Sequence, residues 1–355
     1  MPDLFSSFTL KDVTLRNRLV MSPMTMYRAK NGMMSDFHLM LLGSRAAGGF
    51  GLVFPEQLAI TPDGRTGTSC AGIYADDQIE GLTRITAMIK DMGAVAAAQL
   101  GHTGRKGSEK KPWHGKQQLP ADHPDGWQVR APSAIAYGGR YIYPVHELSI
   151  AEIKALHQSY ADAARRALAA GFEWLELHFA HGYLGASFLS PLANQRSDAY
   201  GGSLENRMRF HLEAIDAVRA VWPERLPLTM RLGCDDFNEA GTQFEDAIIA
   251  VAAMKRHGLD FADLSLGMNT DETQNLPYTE PGFMVGRANR IRQEVGLPVG
   301  VSWNLGIPAI ADSVIRQELV DLVDKTELNA MVIDIKNGRG DLAFMPTSDK
   351  LKPLV

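Results

Sequence analysis

The chain has 355 residues, of which 45% are hydrophobic and 22% charged, with a formal charge of −5. That length accommodates one large domain, such as a barrel of eight strand–helix units with insertions, and the acidic balance gives no reason to expect nucleic acid or an anionic membrane surface as partner. The two cysteines, Cys70 and Cys234, argue against a disulfide framework or a zinc site, while the lack of a signal-peptide pattern or a membrane-length apolar run makes the cytoplasm the expected location.

In chain order, residues 1–18 alternate apolar and polar positions around Lys11-Asp12, which predicts a hairpin plugging the amino-terminal mouth of a barrel. Arg18 to Met24 reads as a first core strand ending at Pro23. A helix follows over 37–47, a strand over 51–57, a helix over 76–92 and a strand over 94–100. Residues 101–147 are rich in Gly, Pro, His, Lys and Trp and too long for a simple connection, so they are expected to cap the active-site mouth. Ser149 and Glu152 have capping-box spacing and open a helix to Ala170. Strand four leads into Leu177, and Ser203 caps a helix to Trp222. Strands over 226–232, 261–266 and 298–302 alternate with helices over 242–257, from about 285 to Val295, and from Ile307 onward. Short buried strands alternating with amphipathic helices predict a parallel sheet. The expected fold is α/β, one (β/α)8 barrel spanning 1–355.

Chemistry concentrates in Glu176-Leu-His-Phe-Ala-His-Gly-Tyr-Leu-Gly185. The strand releases His178, His181 and Tyr183 in quick succession, with Gly182 and Gly185 expected to loosen the backbone between them. In such a barrel, strand carboxyl ends carry the active site. Two imidazoles can donate hydrogen bonds to an oxygen with developing charge, and a phenol beside them can deliver a proton. Ordinary packing accounts for such residues too. A metal pair would need a third ligand from elsewhere, so no metal site is expected.

The run Ser190-Pro191, then Asn194-Gln195-Arg196-Ser197-Asp198-Ala199-Tyr200-Gly201-Gly202-Ser203-Leu204-Glu205-Asn206-Arg207-Met208-Arg209-Phe210, resembles the signature of the Old Yellow Enzyme family of FMN-dependent ene-reductases. Other strand ends match the same family: Ser22-Pro23-Met24-Thr25-Met26-Tyr27, Glu56-Gln57-Leu58-Ala59, Gln99-Leu-Gly-His-Thr-Gly-Arg-Lys106 and Arg231. Trp303 and His178-Phe-Ala-His181 are similar to the bacterial xenobiotic-reductase branch. The resemblance implies non-covalent FMN, with NADPH or NADH as reductant and activated alkenes such as enones as substrates. It implies that Gln99 bonds the pyrimidine edge of the flavin and that Arg231 sits by N1 and O2. Ser22, Pro23, Met24, Thr25 and Ala59 would line the flavin. His178 and His181 would hold the oxygen of an activating group. Tyr183 would protonate the alpha carbon, with Tyr27 and Trp303 lining the substrate pocket. Thr25 stands where branch members often carry cysteine. A homodimer is the expected assembly.

The resemblance ends near Val323. The eighth strand is expected either at Leu319–Val323, the family's position, or at Ala330–Ile335, which is favoured as longer and β-branched. The second choice would bring Gly338-Arg339 towards the cofactor phosphate, since barrel phosphates bind after strands seven and eight. Two alternatives stay open. One is a barrel that has lost FMN with its altered tail and only binds ligands. The other is a relative of dienoyl-CoA or trimethylamine type, although the chain lacks the cysteine cluster those enzymes use.

Overall fold

The computed structural model describes residues 4–274, 276–277 and 279–305, and the backbone of 331–333. A hairpin opens the chain, β1 (Phe8–Leu10) against β2 (Val13–Leu15), turning at Lys11 and Asp12. Its buried Phe8 and Leu15 face the bottom of the barrel, where Phe8 meets Phe261 with ring centroids 6.3 Å apart.

The barrel strands are short, buried and mostly unbroken by polar residues, as parallel strands covered on both faces must be. They run β3 (Leu19–Met21), α1 (Asp36–Ala47), β4 (Leu52–Val53), β5 (Leu58–Ala59), α2 (Ile79–Asp91) and β6 (Val95–Gly101). A long insertion then carries the small pair β7 (Arg130–Ala131) and β8 (His146–Glu147). The rhythm resumes with α3 (Ile150–Ala169), β9 (Trp174–Phe179), α4 (Leu184–Leu189), α5 (Leu204–Arg219), β10 (Leu228–Gly233), α6 (Phe244–Arg256), β11 (Phe261–Ser265), α7 (Val285–Val295) and β12 (Val299–Val301). A last strand, β13 (Met331–Ile333), pairs parallel with β3. The sheet follows the order β12-β11-β10-β9-β6-β4-β3-β13, with β5 lying against the carboxyl end of β6. Its end strands β12 and β13 have Cα atoms within 8 Å of one another, so the sheet curls round into a barrel.

Most sequence-derived elements agree within two or three residues, and the differences have local causes. Asp76–Gln78 forms a 3-10 turn before α2. The helix from Ser203 stops at Arg219, three residues short of Trp222, whose buried indole donates to Pro227 O (3.0 Å). The helix α4 directly after Tyr183 is an addition. The helix expected from Ile307, the candidate strand at 319–323 and Gly338-Arg339 lie outside the described residues. The Ser149 box forms as expected: Ser149 Oγ accepts from Glu152 N (3.3 Å), and Ser149 N donates back to Glu152 Oε2 (2.8 Å). Glycines 182 and 185 do not loosen the chain but allow close approach. A Cβ on Gly182, at φ +69°, would lie 2.2 Å from Met268 O, and one on Gly185 2.1 Å from the Phe179 ring.

Strand register sorts the barrel interior into layers, because alternate residues face inward. At the bottom, Trp174 donates to Thr229 Oγ1 (3.1 Å) and meets Phe261 edge-on at 5.8 Å. The middle layer is polar and buried. Gln99 is in register with Glu176 and donates to its Oε1 (2.8 Å), while Arg231 is in register with Asp263 and lies 3.3 Å from its Oδ2. Above it, at the strand carboxyl ends, lie His178, Gly101, Gly233 and Ser265.

Candidate active site

His178 ends the inward face of β9, and the chain then turns sharply. His181 adopts φ +62°, in the left-handed region that a β-carbon disfavours. Three contacts hold it there: His181 N donates to Leu266 O (3.0 Å), Gly182 N to Gly267 O (2.5 Å), and Lys106 Nζ to His181 O (2.8 Å). Tyr183 N donates to Ala180 O and Leu184 N to His102 O, which starts α4 and fixes the phenol.

The turn gathers three rings. His178 lies 5.0 Å from His181 and 5.1 Å from Tyr183, centroid to centroid, and His181 lies 6.0 Å from Trp303. Ser265 Oγ is 2.6 Å from His181 Nε2 and accepts from Trp303 Nε1 (2.8 Å). A serine hydroxyl that accepts from an indole still has a second lone pair and its own proton, so it pairs with either neutral tautomer of His181.

Electrostatics keep these groups in the protonation states that donate. Burial, with Arg231 and Lys106 adding to it, holds His178 well below the usual imidazole range. Burial, then His178, Arg231 and Lys106, do the same for His181. Both are neutral N–H donors at pH 7. Burial pushes Tyr183 up to about 12 against the opposing hydrogen bond with Thr66, so it keeps its proton. Lys106 is pushed down to about 7 by burial, with Arg140 and Arg105 adding to the effect. Its ammonium lies 4.4 Å from the Tyr137 ring centroid. Burial, reinforced by Asp263 and opposed by Arg231, raises Glu176 above the carboxylate range.

The other expected site residues also lie at strand ends. Ser22 is buried just past β3, with Pro23, Met24 and Thr25 half-buried after it. Tyr27 follows with φ +55°, half-buried and edge-on to Trp113 of the insertion at 5.9 Å. Ala59 is buried in β5, its N–H given to Ala71 O and its carbonyl accepting from Ile73 N. Gln99 sits below the histidines with its amide on Glu176. Arg231 is held by Asp263 and donates to Ser302 Oγ (3.0 Å). The structure therefore unites His178, His181, Tyr183, Trp303 and Arg231 directly. The β3 group stands across the mouth, separated from Gln99 by β4. Glu56, at the second strand end, braces His38 (3.0 Å) and Ala71 N (3.0 Å).

The sequence reading assigned no role to Lys106, Ser265, Glu176 or Asp263. Lys106 closes the Gln99–Lys106 string already noted. Strand positions of Glu176 and Asp263, acids inside apolar runs, were the available signal for the buried layer. Among the described residues no group of three His, Cys, Asp or Glu could hold a metal. No described helix is long and apolar enough to cross a membrane.

The mouth fits a flavin on its own terms. Ser22 Oγ and His178 Nδ1 are buried with no hydrogen-bond partner among the described residues, a costly state for polar atoms that a polar ligand relieves. Below them the layer offers an amide and a guanidinium, the donors an anionic heteroaromatic edge needs.

Comparison with known proteins agrees. Residues 3–324 match the model of the NADH:flavin oxidoreductase / NADH oxidase family. An NADPH dehydrogenase of Bacillus subtilis (strain 168) is 38% identical over 322 residues, covering 90% of this chain and 89% of its own. Morphinone reductase in complex with tetrahydroNAD superposes with a TM-score of 0.75 at 28% identity, covering 94% of this chain and 86% of that one. A 2-naphthoyl-CoA reductase shares the fold at a TM-score of 0.81 and 24% identity. The match covers 94% of this chain, which spans only 50% of that longer protein.

Proposed function

The chain belongs to the NADH:flavin oxidoreductase / NADH oxidase family, and from that premise we propose that it is an ene-reductase that reduces the C=C bond of activated alkenes. Membership makes it an FMN enzyme that uses NAD(P)H, similar to old yellow enzymes. FMN, when bound, would supply the hydride chemistry that links the nicotinamide to the alkene.

The residues do the rest. Arg231, buried and fixed by Asp263 and Ser302, provides a permanent cation for the negative charge a reduced flavin carries. Gln99 and the orphaned Ser22 hydroxyl supply polar contacts to the ring, beside the Pro23, Met24, Thr25 and Ala59 backbone. Thr25 offers a hydroxyl but no oxidisable sulfur. His178 and neutral His181 donate to the carbonyl oxygen of an enone, withdrawing electron density as charge builds there. Tyr183 O–H protonates the alpha carbon. Tyr27 and Trp303 bound the pocket. The free and buried Cys70 and Cys234 suit a reducing cytoplasm. A homodimer is part of the same reading, which sedimentation tests.

The observation that carries this reading is the turn after β9, which brings two neutral imidazoles and a protonated phenol together. Stopped-flow kinetics test it. Tyr183→Phe is expected to slow reoxidation of reduced flavin by cyclohexenone by about 10²–10⁴-fold, the usual worth of a general acid. Flavin reduction by NADPH should keep nearly its wild-type rate. Equal rates in both half-reactions would remove Tyr183 as the proton donor.

A further inference from the structure

We infer that the insertion after β6 carries a subsite for the 2′-phosphate of NADPH, formed by Lys110, Lys111, His114 and His123 around a cavity whose wall includes Tyr27. This inference rests on the ene-reductase reading, because Tyr27 marks the outer edge of the pocket where nicotinamide and alkene would alternate.

The cavity measures about 310 Å³ and is lined by Tyr27, Ser69, Lys110, Lys111 and the two imidazoles, and also by the carboxylates of Glu109 and Asp125. The chain is acidic overall, yet residues 105–116 hold Arg105, Lys106, Lys110, Lys111 and Lys116 against the single acid Glu109. That acid does not cancel them. Glu109 Oε1 accepts from Arg140 Nε at 2.9 Å, so its charge is already matched. Arg105 and Lys106 turn inward and are buried. Among the described residues, neither Lys110 nor Lys111 takes part in an ion pair. The exposed Asp125 lies on the rim, and its backbone N–H donates to His123 Nδ1 (3.0 Å). That bond leaves His123 Nε2 to carry the ring proton and donate.

The loop is built rather than slack. Lys110 N donates to Gln117 O (2.9 Å), His114 N to Lys111 O (2.9 Å), and Ser108 Oγ to Leu119 O (2.9 Å). Gly115, at φ +97°, closes its turn. Trp113 rests edge-on against Tyr27 and lies 5.8 Å from Lys111 Nζ, tying the cationic arm to the pocket. Ammonium groups with hydroxyls beside them suit a phosphate dianion.

A second cavity supports the choice. At about 280 Å³ it is similar in size, but Asp235, Asp236 and Asp271 line it with Tyr137 and Phe237. Arg287 pairs with Asp235 there (3.0 Å), but among the described residues neither Asp236 nor Asp271 has an ion pair, so a dianionic phosphate is disfavoured beside them and drawn to the lysine side. The two cavities differ in charge far more than in volume, which is the distinction NADPH and NADH present.

The test uses the FMN-loaded protein and the double variant Lys110→Ala/Lys111→Ala. By calorimetry, the wild type should bind adenosine 2′,5′-bisphosphate at least tenfold tighter than adenosine 5′-monophosphate, and the variant should lose that preference. The ratio of kcat/KM for NADPH over NADH in flavin reduction should fall tenfold or more in the variant. Equal binding of the two nucleotides by the wild type, or a preference that survives in the variant, would overturn the subsite. A wild-type flavin that neither nicotinamide bleaches would instead overturn the reductase reading beneath it.

Discussion

Trp174 and His178 lie four residues apart on the same inward face of β9, and they solve opposite problems. At the lower end the indole N–H finds Thr229 Oγ1, its ring packs on Phe261, and the hairpin residue Leu15 closes the space below. Every demand is met by neighbours within the fold. At the upper end His178 Nδ1 is buried without a partner among the described residues, His181 is held in a strained φ, and Lys106 is pulled out of water. Desolvated, under-satisfied groups cost stability and are kept where a ligand completes them. One strand therefore carries the barrel's structural end and the end proposed to do its chemistry. Between them lies the Gln99–Glu176 and Arg231–Asp263 layer.

That contrast breaks most severely at the bottom. Trp174→Ala removes a buried indole from a filled layer and is expected to cost about 3–5 kcal/mol, as large aromatic truncations do. Denaturant unfolding measures it. Alkene reduction by the folded fraction should stay near wild type, because the hydrogen bonds that hold His181 and Tyr183 come from Leu266, Ala180 and Lys106. Tyr183→Phe should show the reverse pattern. If Trp174→Ala lost turnover while keeping stability, the division between the two ends would fail.

The middle layer answers to pH. Burial, aided by Asp263, raises the Glu176 pKa above its unfolded value, which is about 4.3. A carboxyl raised on folding contributes its full share of stability below the unfolded pKa and loses it as pH rises through the folded one. Glu176→Gln cannot ionise and escapes that loss. Its melting temperature should gain on the wild type steadily as pH climbs from the ordinary carboxylate range towards neutrality and above. A gap independent of pH would mean that Glu176 ionises normally inside the barrel.

These two ends were not equally legible in the sequence. Apolar runs such as Leu175, Leu177 and Phe179, punctuated by glycines, announce buried parallel strands, and the Ser149/Glu152 spacing announces a helix start. The strand-end candidates were visible because His178, His181, Tyr183 and Gln99 sit within recognisable strings, with Arg231 at the end of its own strand. What stayed hidden depends on register between distant strands. Nothing local tells that Ser265 meets both His181 and Trp303, that Lys106 supports the carbonyl of His181, or that Glu176 and Asp263 face Gln99 and Arg231. The helix α4 also escaped notice. It has six residues, starts beside glycines, and draws its order from packing against the Phe179 ring and from the Leu184–His102 bond, not from periodicity.

The smallest expected effect isolates local structure on the mouth side from the chemistry there. Ser149→Ala deletes the cap where the insertion enters α3 and should cost about 1 kcal/mol. The site residues lie elsewhere, so both half-reactions should keep their rates. Glu152 answers the cap from the other side, with its pKa lowered to about 2. The backbone and hydroxyl of Ser149 are the main causes, and His146 helps. A carboxylate depressed on folding stabilises above its unfolded pKa and loses that contribution as pH falls through the folded value. The penalty of Ser149→Ala, followed by thermal unfolding, should therefore shrink as pH drops from about 5 towards 2, where Glu152 protonates in the wild type as well. A penalty that stayed constant through that interval would show the hydroxyl acting on the helix backbone alone, without the reciprocal carboxylate.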